Sequence, residues 1–154
     1  MTVFQHRDLA AEDLGALMGV LDDTGLFTPS LLASMSAGFI AGDGEDLWLT
    51  LLSGGAPVGL AYAAPEEMAD RVWNLRAIAV SPKLHRLGGG RALIAALEAR
   101  LTDRGGRLLI VETSSLPAFD GARAFYPALG YRREGVIRDF WEEEDDKVTF
   151  AKTL

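Results

Sequence analysis

Cysteine is absent from the 154 residues, and histidine occurs only twice, as His6 and His85. No disulfide can therefore form, and no thiolate can bind a metal. Two histidines this far apart in the chain also argue against a zinc site. A chain without cysteine is compatible with a reducing compartment, and we expect a cytoplasmic protein that needs no metal.

Long apolar runs are absent as well. The stretch from Leu47 to Pro65 carries no charge, but its centre reads Ser53-Gly54-Gly55-Ala56-Pro57. Glycine and proline at this place would break a membrane-spanning helix, and they predict a hairpin of two strands instead. The first thirteen residues mix acidic and basic side chains, which is not the pattern of a signal peptide. We therefore expect no association with a membrane.

Positive charge is in the minority, with 22 acidic against 15 basic residues and a net charge of −7. This balance argues against nucleic acid as a partner. It also means that an anionic ligand must be held by a local basic cluster rather than by the overall charge. With 49% hydrophobic and 24% charged residues, the chain is predicted to form one globular domain over residues 1–154.

Apolar periodicity predicts an α/β architecture. The strand at 107–113 is expected to be buried on both faces, because residues 108–111 are all aliphatic and do not alternate. Two strand–helix units imply that the strands ending near Val80 and Thr113 are parallel, and ligands of such sheets gather beyond the carboxyl ends of the strands. The expected strands are 2–6, two within 46–64, 71–80, 107–113, 131–140 and 147–153, and the expected helices are 10–22, 28–40, 89–104 and 119–129.

The segment 81–91 is rich in glycine and in basic residues. Its three consecutive glycines, Gly88 to Gly90, have no Cβ, so a ligand can approach the backbone closely. Free N–H groups and the helix dipole at such a helix start attract phosphate. Lys83, Arg86 and Arg91 surround the turn, and no carboxylate occurs between positions 81 and 97. The segment therefore predicts a site for phosphate or pyrophosphate.

Residue spacing excludes two common phosphate motifs. A nucleotide P-loop requires Lys and then Ser or Thr after its last glycine, whereas Arg91-Ala92 follows here, and a dinucleotide fingerprint requires a small residue where Leu93 stands. The segment instead resembles motif A of the GNAT superfamily of N-acetyltransferases, Val-x-Pro followed by Gln or Arg-x-x-Gly-x-Gly or Ala. Val80, Pro82, Gly88 and Gly90 match this motif, while His85 and Gly89 depart from the usual residue types.

A second segment, 122–131, resembles motif B of the same family, a helix that ends Tyr-x-x-Leu-Gly-Phe or Tyr. Ala122 and Tyr126 align with the alanine and tyrosine of the motif, and Leu129-Gly130-Tyr131 completes it. The asparagine of the motif would fall at Phe119, so that contact with the cofactor is missing or is supplied by another group.

The resemblance implies the GNAT acyl-CoA N-acyltransferase fold, a mixed sheet of about six to seven strands flanked by about four helices. It also implies that acetyl-CoA donates its acetyl group to a primary amine, which attacks directly in a ternary complex. The pantetheine arm would lie between the strands ending near Val80 and Thr113. The acceptor would be a small-molecule or peptide amine, and the protein a monomer or homodimer. The residues implied to bind the cofactor are Ile78, Ala79, Val80, His85, Arg86, Leu87, Gly88, Gly89, Gly90 and Arg91.

Tyr126 and Glu112 are the candidate catalytic residues. The resemblance makes Tyr126 the general acid that protonates the departing thiolate, and its alternative interpretation is a packing residue with its hydroxyl group at the surface. Glu112 follows four aliphatic residues, where a charged side chain is rarely needed for packing. It is a candidate base for the acceptor ammonium, a carboxylate that binds this amine, or a solvated strand end.

Asn74, Arg76 and Trp141 are candidates for binding the acceptor. Trp141 precedes an acidic run, 142–146, which is either a solvated loop between two strands or the border of an acceptor site that favours a cationic amine. A function of another class also stays open, namely a non-catalytic acyl-CoA-binding sensor or partner module. Motif A would serve both functions, and the presence of Tyr126 favours catalysis.

Overall fold

The computed structural model describes residues 2–154, and seven strands and four α-helices lie within them. The predicted α/β fold is thereby confirmed. The strands are β1 (Phe4–Asp8), β2 (Leu47–Ser53), β3 (Ala56–Pro65), β4 (Val72–Val80), β5 (Leu108–Ser114), β6 (Arg132–Glu142) and β7 (Asp145–Thr153). The helices are α1 (Leu14–Thr24), α2 (Leu32–Ile40), α3 (Gly89–Asp103) and α4 (Asp120–Ala128). β1 begins two residues later than predicted, and short 3-10 turns, Ala11–Asp13 and Pro29–Leu31, precede the first two helices.

One mixed sheet contains all seven strands, in the order β1-β2-β3-β4-β5-β7-β6. β4 and β5 run parallel, with Val72 opposite Leu108 and Leu75 opposite Val111. This pairing confirms the parallel arrangement that the strand–helix units predicted. β5 pairs antiparallel with β7, and β7 pairs antiparallel with β6, so β6 forms an edge of the sheet.

The turn between β2 and β3 consists of Gly54 and Gly55, with φ angles of +58° and +80°. A two-residue hairpin turn of this kind requires positive φ at both positions, which glycine adopts without steric cost. The uncharged stretch is therefore a hairpin, as predicted. No helix in the described part of the chain is long and apolar enough to cross a membrane.

The chain divides into two compact units. The first unit runs to Ala64 and continues with Arg76–Arg100, and the second contains Pro65–Leu75 and Leu101–Leu154, so the two halves of β4 belong to different units. In the first unit, α1 and α2 pack on the sheet through a buried apolar cluster. Its largest members are Leu17, Leu21, Leu32, Trp48 and Leu60.

A buried carboxylate, Asp13, anchors the start of α1 in the first unit. Its side chain is 1% exposed and accepts hydrogen bonds from Arg7 (2.7 and 2.6 Å), the Ala10 N–H (2.9 Å) and the Thr50 hydroxyl (3.0 Å). Burial by itself would raise the pKa of Asp13, but these hydrogen bonds and the Arg7 charge lower it below the usual value. Asp13 is therefore ionised in the folded protein at neutral pH.

The burial of β5 differs from the predicted one. Leu109, Val111 and Thr113 are buried, whereas Leu108, Ile110 and Glu112 are only half-buried. The expectation that this strand is buried on both faces is therefore wrong, because side chains on one face keep partial contact with solvent. A continuous aliphatic run cannot distinguish a fully covered face from a partly covered one.

β6 is exposed at every position, and its pairing with β7 is irregular. The register shifts between Arg133 and Gly135, and a larger shift follows Ile137. Ile137 lies opposite Lys147 and Glu142 lies opposite Asp145, so residues 138–141 face a single residue of β7. Asp139, inside this bulge, has a φ of +53°. The bulge bends β6 at Phe140 and Trp141.

Candidate active site

The start of α3, where the sequence predicts an anion site, lies in the first unit. The first hydrogen bond of the helix runs from the Ala92 N–H to the Gly88 carbonyl (2.9 Å). The N–H groups of Gly89, Gly90 and Arg91 therefore have no intrahelical partner. Such groups, together with the helix dipole, are suited to bind phosphate oxygens. We call residues 85–91 the anion cradle.

Two glycines of the anion cradle are required for different reasons. Gly88 has a φ of +91°, and a Cβ added there would meet nothing within 4 Å. A Cβ on Gly89 would lie 3.1 Å from Val80 Cγ1 and 3.2 Å from Leu51 Cδ2. Gly88 thus permits a backbone conformation that other residues rarely adopt, whereas Gly89 lets α3 pack closely on the sheet.

The charges around the anion cradle are available to a ligand. Lys83, Arg86 and Arg91 are exposed, and no salt bridge to any of them occurs within residues 2–154. The His85 Nε2 atom lies 3.1 Å from the Val80 carbonyl oxygen. Because a carbonyl only accepts, this contact requires the proton on Nε2.

The remaining residues that the sequence assigns to cofactor binding line β4 and the turn. Ala79 is buried, Ile78 and Val80 are half-buried, and Leu87 is half exposed.

In the second unit, Glu112 lies in a cluster with a lysine and aromatic side chains. The Lys147 Nζ atom is 3.7 Å from Glu112 Oε2 and 4.0 Å from the centre of the Phe140 ring. The side chains of Lys147 and Glu112 are 14% and 25% exposed, respectively. Glu112 is therefore a partly buried, ion-paired carboxylate and not a solvated strand end.

The bulge of β6 brings Trp141 to the same cluster. Its indole N–H donates to the Thr113 carbonyl (3.4 Å), and its ring packs edge-on against Phe140 with ring centres 4.8 Å apart. Trp141 thus reaches from β6 across β7 to the end of β5. Phe140 contacts Lys147, the partner of Glu112, and Trp141 contacts Phe140, so the aromatic pair is linked to Glu112 through the lysine.

The acidic run divides into parts with different roles. Glu142, Glu143 and Glu144 are exposed, whereas Asp145 is buried and accepts hydrogen bonds from the Ser114 hydroxyl and the Ser115 N–H. The prediction of a solvated loop between two strands is therefore wrong for Asp145, which opens β7. Asp145 ties the start of this strand to the end of β5.

Tyr126 lies on α4 in the second unit with its ring 4% exposed, in contact with Tyr131 and Phe150 at ring-centre distances of 5.7 and 5.8 Å. Its hydroxyl group makes no hydrogen bond within the described residues. Burial raises the pKa of Tyr126 well above the ordinary value, so the phenol stays protonated at neutral pH. The side chain is packed, as its alternative interpretation expected, and it also carries an uncommitted proton donor.

The two other candidates for acceptor binding lie in different units. Asn74, in the second unit, is buried and donates to Glu66 (2.7 Å), so its amide is already engaged. Arg76, in the first unit, is exposed beside Tyr62, whose hydroxyl donates to Asp46 (2.7 Å). Tyr62 also stacks on Trp48, with ring centres 4.1 Å apart.

Sequence reasoning missed Lys147. Nothing in the chain near this residue marks it, since it follows five acids and begins an ordinary strand pattern. Its contact with Glu112 depends on the pairing of β5 with β7, where Lys147 lies opposite Ser114. Among residues 2–154, no group of three or more His, Cys, Asp or Glu side chains is placed to hold a metal ion.

Comparison with known proteins agrees with this geometry. The family model of the GNAT acetyltransferases matches residues 18–131, whereas no curated protein matches the chain. A solved structure from Desulfovibrio desulfuricans, described as an acetyltransferase of the GNAT family, shares 28% identity over 99% of both chains with a TM-score of 0.85.

Two further solved structures share the fold. The ribosomal-protein-S18-alanine N-acetyltransferase from Escherichia coli has 24% identity over 98% of this chain and 94% of its own, with a TM-score of 0.78. An aminoglycoside 6'-acetyltransferase type Ii has 20% identity over 97% and 96%, with a TM-score of 0.81. The family match covers most of the chain and contains both the anion cradle and Tyr126, and we conclude that this chain belongs to the GNAT family of acetyltransferases.

Proposed function

We propose that this acetyltransferase binds acetyl-CoA at the anion cradle and transfers the acetyl group directly to a primary amine. The observation that carries the proposal is the start of α3, where three N–H groups without intrahelical partners lie among three unpaired cations. The pyrophosphate of the coenzyme supplies the negative charge that this arrangement suits. The binding residues are those at 78–80 and 85–91.

The reaction then needs a proton for the leaving group. An amine attacks the thioester carbonyl, the C–N bond forms, and the C–S bond breaks to release the thiolate of coenzyme A. Tyr126 gives its phenolic proton to this thiolate, because its hydroxyl group makes no protein hydrogen bond and the phenol is protonated at neutral pH. Backbone N–H groups of β4 near Val80 polarise the carbonyl during attack.

Glu112 acts on the acceptor amine. The incoming ammonium must lose a proton before it attacks, and a partly buried carboxylate is suited to accept it, directly or through water. Lys147 balances the charge of this carboxylate when no acceptor is present. Trp141 and Phe140 border the space in which the acceptor binds.

The acceptor is a small-molecule or peptide amine. Residues 142–144 favour a cationic one, because their three exposed carboxylates follow directly on Trp141. We propose that the chain works as a single catalytic domain in the cytoplasm, as a monomer or homodimer, without metal, nucleic acid or membrane.

An amine screen with two readouts tests the proposal. Release of free thiol from acetyl-CoA is measured with a panel of primary amines that includes amino acids, polyamines, aminoglycosides and peptide N-termini, and products are identified by mass spectrometry. A calorimetric titration with acetyl-CoA is run in parallel. We expect binding together with thiol release for at least one amine. Binding without turnover on any amine would indicate the non-catalytic alternative, and absence of binding would contradict the anion cradle.

A further inference from the structure

The primary amine of Lys147 lies beside Glu112, the residue that the proposed function assigns to the acceptor amine. Its Nζ atom is 3.7 Å from Glu112 Oε2, the proposed proton acceptor, and 4.0 Å from the centre of the Phe140 ring. The side chain keeps 14% of its surface exposed, so it is not sealed within the core. An external ammonium bound by Glu112 and the Phe140 ring would make the same contacts.

We propose that Lys147 is itself an acetylation site, modified by the catalytic machinery of its own chain when no external amine is bound. This inference rests on the proposed function, because it assigns Glu112 the same role toward Lys147 as toward an acceptor. It adds a modification site that also changes the charge of the acceptor region.

The step balances without any further reactant. The Lys147 ammonium gives one proton to Glu112, and the neutral amine attacks the thioester carbonyl of acetyl-CoA. A C–N bond forms to Nζ, the C–S bond breaks, and the thiolate of coenzyme A takes the proton of Tyr126. The nitrogen loses its second proton to solvent as the amide forms, and the proton on Glu112 restores the tyrosine through solvent. The products are N-acetyl-lysine at position 147, free coenzyme A and one released proton.

Acetylation removes the positive charge of Lys147, which pairs with Glu112. The Glu112 carboxylate then no longer pairs with the Lys147 charge. A cationic acceptor can pair with this carboxylate instead, which strengthens its binding. The modified enzyme is therefore expected to have a lower KM for cationic amines than the unmodified enzyme.

The chain contains three lysines, Lys83, Lys147 and Lys152. The acetylation rates of the other two serve as internal references for the rate at Lys147. Lys83 is exposed, whereas Lys152 donates to the Leu129 carbonyl (2.9 Å). Uncatalysed acetylation depends on an accessible, neutral amine, so it would modify Lys83 faster than the ion-paired Lys147. Preference for Lys147 would require catalysis.

The experiment incubates the purified full-length protein with isotope-labelled acetyl-CoA and no added amine, and follows acetylation of each lysine by mass spectrometry. We expect Lys147 to react on the order of 10²-fold faster than Lys83, the usual scale of general-base catalysis. The rate constant should be independent of protein concentration, since the reaction occurs within one chain. Lys147→Arg should abolish the label at this position and leave the labelling of Lys83 and Lys152 unchanged.

Glu112→Gln removes the base while keeping the shape of the side chain, and the Lys147 rate should fall to that of Lys83 or below. Glu134→Gln is the matched control, because Glu134 is an ion-paired glutamate of the same unit, 3.0 Å from Arg132, and has no part in the site. It should leave the Lys147 rate unchanged.

If the protein acetylates an external amine but labels Lys147 no faster than Lys83, the inference is wrong and the proposed function stands. A rate constant that rises with protein concentration would likewise overturn reaction within one chain. If neither Lys147 nor any amine is acetylated, the proposed function fails together with the inference.

Discussion

Replacing Gly88 by alanine tests whether the start of α3 binds the coenzyme. The new Cβ would meet no atom within 4 Å, so the variant creates no clash in the free protein. Its cost to folding comes from the φ of +91°, which an L-residue adopts at about 1–2 kcal/mol. The Cβ occupies space that is open in the free protein, and we expect a pyrophosphate bound at the adjacent N–H groups to use the same space. We expect coenzyme affinity to fall by at least about tenfold, which corresponds to ~1.4 kcal/mol.

Gly105→Ala provides a control with the same backbone strain and no ligand. Gly105 has a φ of +79°, and a Cβ there would also meet nothing within 4 Å. Urea unfolding should show both variants destabilised by similar amounts, while calorimetric titration with coenzyme A should show weaker binding for Gly88→Ala alone. Equal coenzyme affinity in the two folded variants would refute the assignment of the anion cradle.

Three further predictions concern catalysis, stability and acceptor charge. Tyr126→Phe should lower turnover on the order of 10²-fold. It should leave urea unfolding nearly unchanged, because the hydroxyl group makes no protein hydrogen bond. Wild-type turnover in this variant would show that Tyr126 serves packing alone. Asp13→Asn should reduce the free energy of unfolding by about 2 kcal/mol at neutral pH, the scale of hydrogen bonds to a charged group. The pKa of Asp13 is lowered on folding, so this stabilisation is fully present above the unfolded pKa of about 3.9. It is lost as the pH falls through the folded pKa, and the stabilities of variant and wild type should therefore converge in acid. Replacing all three glutamates of 142–144 by Gln should raise KM for a cationic acceptor at low salt and leave KM for acetyl-CoA unchanged. If the variant has the same acceptor KM as the wild type at both low and high salt, these residues are only a solvated turn. Asp145 is left out of that variant because it is buried.

Features encoded by neighbouring residues could be predicted from the sequence. Two adjacent glycines define the hairpin turn after Ser53, and the glycines at 88–90 mark the start of α3. Each of these conclusions depends on backbone conformation within a few residues, and local residue types determine that conformation. The parallel pairing of β4 with β5 follows similarly from the length of the helical connection.

Features that depend on strand register could not be predicted. The contact of Lys147 with Glu112 requires the pairing of β5 with β7. The position of Trp141 requires the bulge in β6, and no residue type in this strand predicts a bulge. In the acidic run, residue type does not distinguish the buried Asp145 from its exposed acidic neighbours. The amide of Asn74 is engaged by Glu66, a partner that only the fold brings within reach.

The bulge in β6 has a consequence for association between molecules. An exposed edge strand presents unpaired N–H and C=O groups to which another chain can add, and such edges are common starting points of aggregation. Two register shifts and a positive φ at Asp139 leave only the short stretch Gly135–Ile137 in regular pairing geometry between them. An incoming strand could therefore form few hydrogen bonds with this edge. The residues that bring Trp141 to the candidate active site thus also limit the pairing of another strand with this edge. A deletion that straightened β6 would move Trp141 away from the end of β5 and promote aggregation at the same time.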